Sequence, residues 1–253
     1  MRYPDLAGKV TVVTGGSRGI GAETCRAFAA NGARVVVSGR DGAAIDAVVA
    51  GIRADGGEAV GVSADVSSLA AVAALRAGAE RELGSVDVLV AFAGGSPAPP
   101  APITEVSEAD FRAAVDGNLM STFFCLKTFL PPMLERGNGS IVTMASAAAR
   151  HVSRGPIAYA AAKSGVLTMT RQVARDVAAS GVRVNAVAPA SIGTERVLAA
   201  MGPQVREQAA RAHPVGRIGT PADVANAALY LASDAAAFVT GVTLDVAGGM
   251  VMR

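Results

Sequence analysis

The stretch Lys9-Val-Thr-Val-Val-Thr14-Gly15-Gly-Ser-Arg-Gly19-Ile-Gly21 decides the reading of the chain. Its β-branched run, Lys9 to Thr14, reads as a short buried strand. Glycine-rich sequence follows at once, then Ala22 to Asn31 with helical character and Gly32 as the stop. Strand, glycine turn and helix is the geometry that aims backbone N–H groups and a helix N-terminus at a diphosphate. Glycines at 15, 19 and 21 remove the Cβ atoms that would block such an approach. The spacing is G-x3-G-x-G, not G-x-G-x-x-G, and the Gly-Lys-Ser/Thr of a P-loop is absent.

Working outward, the alternation continues. Arg34–Ser38, Ala59–Ser63 and Val86–Phe92 read as further strands, separated by helices over Gly42–Ala54 and from Asp65 to Leu83. Ser96–Pro102 is a Pro/Ala loop, followed by helices at Glu108–Val115 and Met120–Arg136, the second expected to bend or break near Pro131-Pro132. Ser140–Met144 and Val182–Ala188 are strands five and six, with a helix between them running to about Ala179. A helical flap is expected over about 190–213, a helix over Pro221–Ser233 and a seventh strand at Val242–Val246. Continuous apolar strands joined by helices predict a doubly wound, seven-stranded parallel sheet of Rossmann type, covered on both faces, with ligands at the C-terminal strand ends. No linker divides the 253 residues, so residues 1–253 form one α/β domain.

Composition narrows the function. Apolar residues make up 51% and charged residues 17%, enough for a large core. No run approaches 18 uninterrupted apolar residues and the start shows no signal-peptide pattern, which predicts a cytoplasmic protein without membrane spans. A net charge of +2 with scattered Lys and Arg argues against a nucleic-acid partner. Cys25 and Cys125 read as buried free thiols, and His151 and His213 stand too isolated for a metal site, so no metal is expected.

The chemistry-bearing residues lie at Ser146 and in Tyr159-Ala-Ala-Ala-Lys163. Four residues along a helix is just over one turn, which puts Tyr159 and Lys163 on one face. A phenol has a pKa near 10, outside the useful range at neutral pH. An ammonium about 4 Å away, at an effective dielectric near 20, would favour the phenolate by roughly 4 kcal/mol and bring that pKa to roughly 7.

Together these features resemble the short-chain dehydrogenase/reductase family, and the match spans nearly the whole chain. Thr14-Gly15-x3-Gly19-x-Gly21 is similar to its cofactor motif, Ser146, Tyr159 and Lys163 to its Ser and Tyr-x-x-x-Lys, and Asn118 to its Asn. Asn185-Ala-Val-Ala-Pro189-Ala-Ser-Ile192-Gly-Thr194 and Thr240-Gly-Val-Thr-Leu-Asp-Val-Ala-Gly248-Gly249 resemble its nicotinamide-side segment and closing strand. Two departures stand out: the usual Asn-Asn-Ala-Gly reads Ala91-Phe92-Ala93-Gly94, and the usual Pro-Gly reads Pro189-Ala190.

The resemblance implies an oxidoreductase acting on carbonyls and secondary alcohols. Tyr159 would exchange the proton with the substrate oxygen, and Ser146 would hydrogen-bond that oxygen. Lys163 would lower the Tyr159 pKa and bind ribose, and Asn118 would hold a water on the proton path. Cofactor contacts would come from Gly15, Ser17, Arg18, Gly19, Ile20, Gly21, Arg40, Asp65, Val66, Ala93, Gly94, Tyr159, Lys163, Pro189, Ile192 and Thr194. Gly39 stands where NAD-dependent members commonly carry an acid, and Arg18 and Arg40 are placed to meet a 2′-phosphate, which favours NADP(H) over NAD(H). Asp41 is read as a helix N-cap, and Asp65 as either an adenine contact or an N-cap.

The substrate pocket is expected among Gly95–Ile103, Ala147–Pro156 and Ala190–His213, with Arg150, His151 and Arg154 as candidates for an anionic substrate. The overall look is nearest to 3-oxoacyl-(acyl-carrier-protein) reductases. A non-catalytic NADP(H) sensor is the alternative from a different class. A homotetramer or homodimer is implied by the resemblance.

Overall fold

The computed structural model describes residues 2–96, 98–152 and 155–252. Among these, the chain alternates β1 (Val10–Thr14), α1 (Gly19–Ala30), β2 (Arg34–Gly39), α2 (Gly42–Ala54), β3 (Glu58–Ser63), α3 (Leu69–Leu83) and β4 (Val88–Ala91). It continues through α4 (Glu108–Val115), α5 (Ser121–Arg136), β5 (Gly139–Met144), α6 (Ile157–Val177) and β6 (Val182–Pro189). The last elements are α7 (Glu195–Ala200), α8 (Pro203–Arg211), α9 (Pro221–Ala232) and β7 (Thr243–Val246). The strands form one parallel sheet in the order β3-β2-β1-β4-β5-β6-β7. The order reverses between β1 and β4, which opens the ligand crevice of a doubly wound sheet at the C-terminal ends of those two strands.

The period-2 geometry of a strand sorts the apolar residues to two faces. Val13, Val35, Val37 and Val90 pack with Phe28 of α1, Val48 and Ile52 of α2 and Leu229 of α9. Their neighbours Val12, Val36 and Leu89 pack on the opposite face with Leu75 of α3, Phe129 and Met133 of α5 and Val177 of α6. The central strands β1, β2, β4 and β5 are thus buried on both sides because both sides are covered. No helix among the described residues is long and apolar enough to cross a membrane.

Expected and observed elements differ in two places that bear on the site. The helix Ser121–Arg136 runs unbroken through Pro131 and Pro132. Pro131 faces solvent, while Phe129 and Met133 on either side anchor the helix in the core. The irregularity lies upstream instead, in a π turn over Asp116–Met120 that carries Asn118. The helix α3 begins at Leu69 with Ser68 as its cap, so Asp65 is not an N-cap; its carboxylate closes onto Ser67 N (3.0 Å) and Ser67 Oγ (2.7 Å).

Two glycines give opposite expectations. A Cβ on Gly21 would stand 2.0 Å from the Gly15 carbonyl oxygen, whereas one on Gly51, mid-helix in α2, would meet nothing within 4 Å. Gly51→Ala should stabilise the protein by roughly 0.5–1 kcal/mol in urea unfolding, through helix propensity. Gly21→Ala should destabilise it by about 2 kcal/mol or more, because backbone must move. Similar effects for both would contradict this turn geometry.

Candidate active site

The site is assembled from the C-terminal ends of β1, β4, β5 and β6. Gly15 leaves β1 with φ +68°, and a Cβ there would touch the Ala93 backbone at 3.0 Å. Gly19 has φ +51°, and a Cβ on it would lie 3.1 Å from Thr194 Cγ2, so the root of the flap rests on the glycine turn. Arg18 is the N-cap residue of α1, but no side chain caps that helix. The turn therefore leaves backbone donors of α1 available where a diphosphate would sit. These residues fit the dinucleotide that the sequence implies.

At the end of β5, Ser146 is extended (φ −163°, ψ 152°) and its Oγ accepts from Ala148 N (3.2 Å). The Tyr159 phenol, on α6, lies near enough to the Ser146 hydroxyl for that hydroxyl to act on its pKa. Lys163, one turn further, is 1% exposed, and its ammonium donates to the Met144 carbonyl (2.8 Å) while standing 5.7 Å from the Tyr159 ring centroid. The three side chains the sequence singled out are thus brought together.

Their electrostatics correct the expectation of a phenol lowered by its lysine. Burial raises the Tyr159 pKa, and the Ser146 hydroxyl only partly opposes this. Burial also pushes Lys163 down, to about 7. Desolvation outweighs the attraction between the pair because the ammonium turns to the Met144 carbonyl and not to the phenolic oxygen.

Asn118, in the π turn, donates from Nδ2 to Gly95 O (2.9 Å) and Ala114 O (2.8 Å), and its Oδ1 accepts from Gly95 N (3.0 Å). A Cβ on Gly94 would strike that Oδ1 at 2.5 Å, so Asn118 and the loop after β4 are fitted to each other. Ala93 N donates to Thr14 Oγ1 (3.2 Å). Pro189 ends β6, Ile192 is buried and forms a parallel bridge with Gly219, and Thr194 caps α7 by accepting from Val197 N (3.3 Å).

On the adenosine side, Ser17 lies against the end of β2, since a Cβ on Gly39 would meet its Oγ at 2.8 Å. Ile20 packs against the core face and Val66 is buried. Two convergent arginines are not what the structure shows. Arg18 pairs with Asp41, which also caps α2 by accepting from Ala44 N (3.1 Å), while Arg40 is exposed; the Asp65 pKa is lowered chiefly by its hydrogen bonds from Ser67, with the distant Arg40 charge adding least.

A cavity of about 230 Å³ opens beside Tyr159. Ser96, Ala98, Pro99, Ala101 and Pro156 line it, as expected. The flap does not; in its place stand Val106, Asp110 and Ala114 of the α4 region, and Glu105. Asp110 and Ala114, four apart on α4, share one face of that helix, a spacing in the sequence that could have found this part of the wall. Arg150 is held by Asp245, and His151 Nδ1 lies 2.7 Å from Val152 O; Arg154 lies outside the described residues.

Comparison with known proteins agrees with this geometry. A family profile described as "Enoyl-(Acyl carrier protein) reductase" matches residues 15–251. The chain is similar to the cis-4-hydroxycyclohexanecarboxylate dehydrogenase of Sinomonas cyclohexanicum, 42% identical over 244 residues, covering 96% of this chain and 97% of that one. It is also similar to the 3-oxoacyl-[acyl-carrier-protein] reductase of Synechocystis sp., 39% identical with 98% of both chains covered. A solved structure of 7α-hydroxysteroid dehydrogenase complexed with NADH and 7-oxo glycochenodeoxycholic acid superposes with a TM-score of 0.92 at 38% identity, covering 99% of this chain and 97% of that one. The chain belongs to the short-chain dehydrogenase/reductase family. Like the dehydrogenases and reductases named here, this family member is an oxidoreductase.

The buried lysine has a thermodynamic consequence. Its folded pKa, about 7, lies below the roughly 10.4 of an unfolded lysine. Between those values the unfolded chain holds a proton that the native chain has released, so stability should rise with pH. At about 1.4 kcal/mol per unit, wild type should gain up to roughly 4 kcal/mol relative to Lys163→Met between pH 7 and 10. Urea unfolding of both proteins without cofactor checks this; parallel pH profiles would refute it.

Proposed function

We propose that this short-chain dehydrogenase/reductase interconverts a ketone and a secondary alcohol using NADP(H), with Tyr159 as the proton donor and acceptor. The observation that carries the reading is the gathering of Ser146, Tyr159 and a buried Lys163 beside a cavity at the sheet's C-terminal edge. A bound nicotinamide supplies or takes up the hydride. The protein's part is proton transfer and orientation. In the reducing direction Tyr159 gives its proton to the substrate oxygen, and the Ser146 hydroxyl donates to the same oxygen as charge develops on it. A lysine at about 7 can cycle its proton near neutrality and so restore the phenol. Both Nδ2 hydrogens of Asn118 are engaged, so a water on its proton path would have to use a carbonyl lone pair.

Gly15, Ser17, Gly19, Ile20 and Gly21 would hold the diphosphate, and Asp65 and Val66 the adenine. Ala93, Gly94, Pro189, Ile192 and Thr194 would surround the nicotinamide, with Tyr159 and Lys163 at its ribose. The preference for NADP(H) is supported by the exposed Arg40 and by Gly39, where a side chain would collide with Ser17. The Arg18–Asp41 pair is exposed on both sides, and such pairs are worth about 0–1 kcal/mol, so a 2′-phosphate can draw Arg18 away. The NADH in the hydroxysteroid dehydrogenase favours NAD(H) as a second reading, with Asp41 as the ribose acceptor.

For the substrate, the largely apolar cavity suits a compact ketone, and Glu105 and Asp110 on its wall repel anions. A 3-oxoacyl thioester is the class suggested by the Synechocystis relative. A homotetramer or homodimer is supported by exposed Phe111 and Phe123 and by a groove of about 580 Å³ along α4 that includes Ile103 and Val115. The setting is proposed to be cytoplasmic.

NADPH oxidation against ketones, aldehydes and 3-oxoacyl thioesters tests the reading. Tyr159→Phe should reduce turnover at least ~10³-fold while NADPH binding, followed by its fluorescence, changes little. Tight NADPH binding without turnover of any of these by wild type would favour a cofactor sensor.

A further inference from the structure

The loop that begins at Ser146 is fastened to the opposite edge of the site by an ion pair with no part in the proposed chemistry. After Ser146 the chain makes one turn of 3₁₀ helix, Ala147–Ala149, closed by Ala149 N to Ser146 O (3.0 Å) and Arg150 N to Ala147 O (2.8 Å). The Arg150 guanidinium then reaches β7. Its Nε donates to Asp245 Oδ1 (3.1 Å) and its Nη2 to Oδ2 (3.0 Å). Both side chains are largely withdrawn from solvent, 19% and 17% exposed. A two-point fork between planar groups fixes rotation as well as distance, which a single contact does not.

What lies at each end gives the pair its meaning. Ser146 sits upstream, and its backbone is anchored on one side by Ala145 N to Val187 O (2.8 Å). The other bonds of Ser146 stay within its own turn, to Ala148 N and Ala149 N, so the Arg150 fork is the turn's tie to β7. At the other end, Asp245 pairs with Ala188 of β6, Val246 pairs with Pro189, and Ala190 N donates to Val246 O (3.2 Å). The fork therefore joins the Ser146 turn to β7, which pairs with the end of β6 where Pro189 sits and the chain leads into the flap.

We infer that Arg150 and Asp245 are positioning residues: their fork holds the Ser146 hydroxyl in line with Tyr159 and couples that turn to the base of the flap. The inference rests on the proposed role of Ser146. It also removes Arg150 from the candidates for binding an anionic substrate, since its guanidinium already has a carboxylate partner. Breaking one side leaves a mostly desolvated charge without its partner, so single substitutions should cost more than reversal of the pair.

The test is a double-mutant cycle with Ser146→Ala, using NADPH and a ketone that the wild type reduces. Arg150→Met should lower kcat ~10- to 100-fold with KM for NADPH within about two-fold, because alignment and not cofactor binding is lost. In the Ser146→Ala background the same change should cost less than about three-fold. Asp245→Asn should behave alike, Arg150→Lys should fall between, and Arg150→Asp combined with Asp245→Arg should recover much of the loss. Equal losses with and without Ser146 would overturn the inference.

A second measurement needs no turnover. Cys25 and Cys125 are buried, so iodoacetamide should react chiefly at a thiol introduced by Ser146→Cys, a position only 9% exposed. Adding Arg150→Met, or Asp245→Asn should the first variant fail to fold, should speed that reaction at least ~10-fold by releasing the turn. An unchanged rate would sink the inference, whereas a wild type that reduces no ketone would sink the proposed function alone.

Discussion

The hydrogen bond from the Lys163 ammonium to the Met144 carbonyl is the constraint around which the site is built. It joins α6 to the last residue of β5, two positions before Ser146. A cation with 1% exposure is costly in an apolar interior, and its own pKa, pushed to about 7, expresses that cost. The protein accepts it because the same bond sets the rotation of α6. With Lys163 fixed, Tyr159 one turn earlier is delivered to Ser146. A neutral hydrophobic residue would pack at least as well there, so the position makes sense as a functional group and not as a stabilising one.

The opposite wall of the crevice is held by backbone, and the reason is space. A Cβ would clash outright at Gly21, against the Gly15 carbonyl, and at Gly94, against Asn118 Oδ1, and would be tight at Gly15 and Gly19, where φ is positive as well. Close approach and open backbone donors occur together: the glycines that let β4 and the flap root close in also leave the start of α1 bare. A rigid turn on one side and a buried cation on the other define the crevice. The flap spans from Thr194, which touches the turn, to the loops beyond α8.

Most of this was legible in the sequence because it is written in local terms. Strand alternation, the bounds of α2 and the four-residue interval from Tyr159 to Lys163 each depend on residues close in sequence. The seventh strand and the flap helices were also readable by pattern. What escaped depends on through-space competition. No spacing rule shows that Lys163 would turn to Met144, and so the sign of the Tyr159 shift was missed. Nor does local sequence reveal that Asp41 would take up Arg18, or that Asp245, 95 positions away, would take up Arg150. The prolines of α5 misled for a related reason: propensity marks where a helix is weak, but burial of Phe129 and Met133 decides where it holds.

The two departures from the family pattern show how such a fold absorbs change. Where Asn-Asn is usual, Ala91 and Phe92 bury their side chains, to 2% and 7% exposure, and Phe92 joins the core on the α1 face. The tether across the central strands does not vanish with the amides. It is carried by Thr14 Oγ1, which accepts from Ala93 N, and by Asn118, which brackets Gly95 from both sides. Ala190 in place of glycine is tolerated for a backbone reason: among the described residues no non-glycine has positive φ, and Ala190 N extends the β6–β7 ladder to Val246. Glycine there would add freedom to the start of the flap, and alanine takes some of it away. Both changes thus leave Ser146, Tyr159 and Lys163 in place and stiffen what surrounds them, so their effect should fall on what enters the crevice and on the start of the flap, not on the proposed proton transfer.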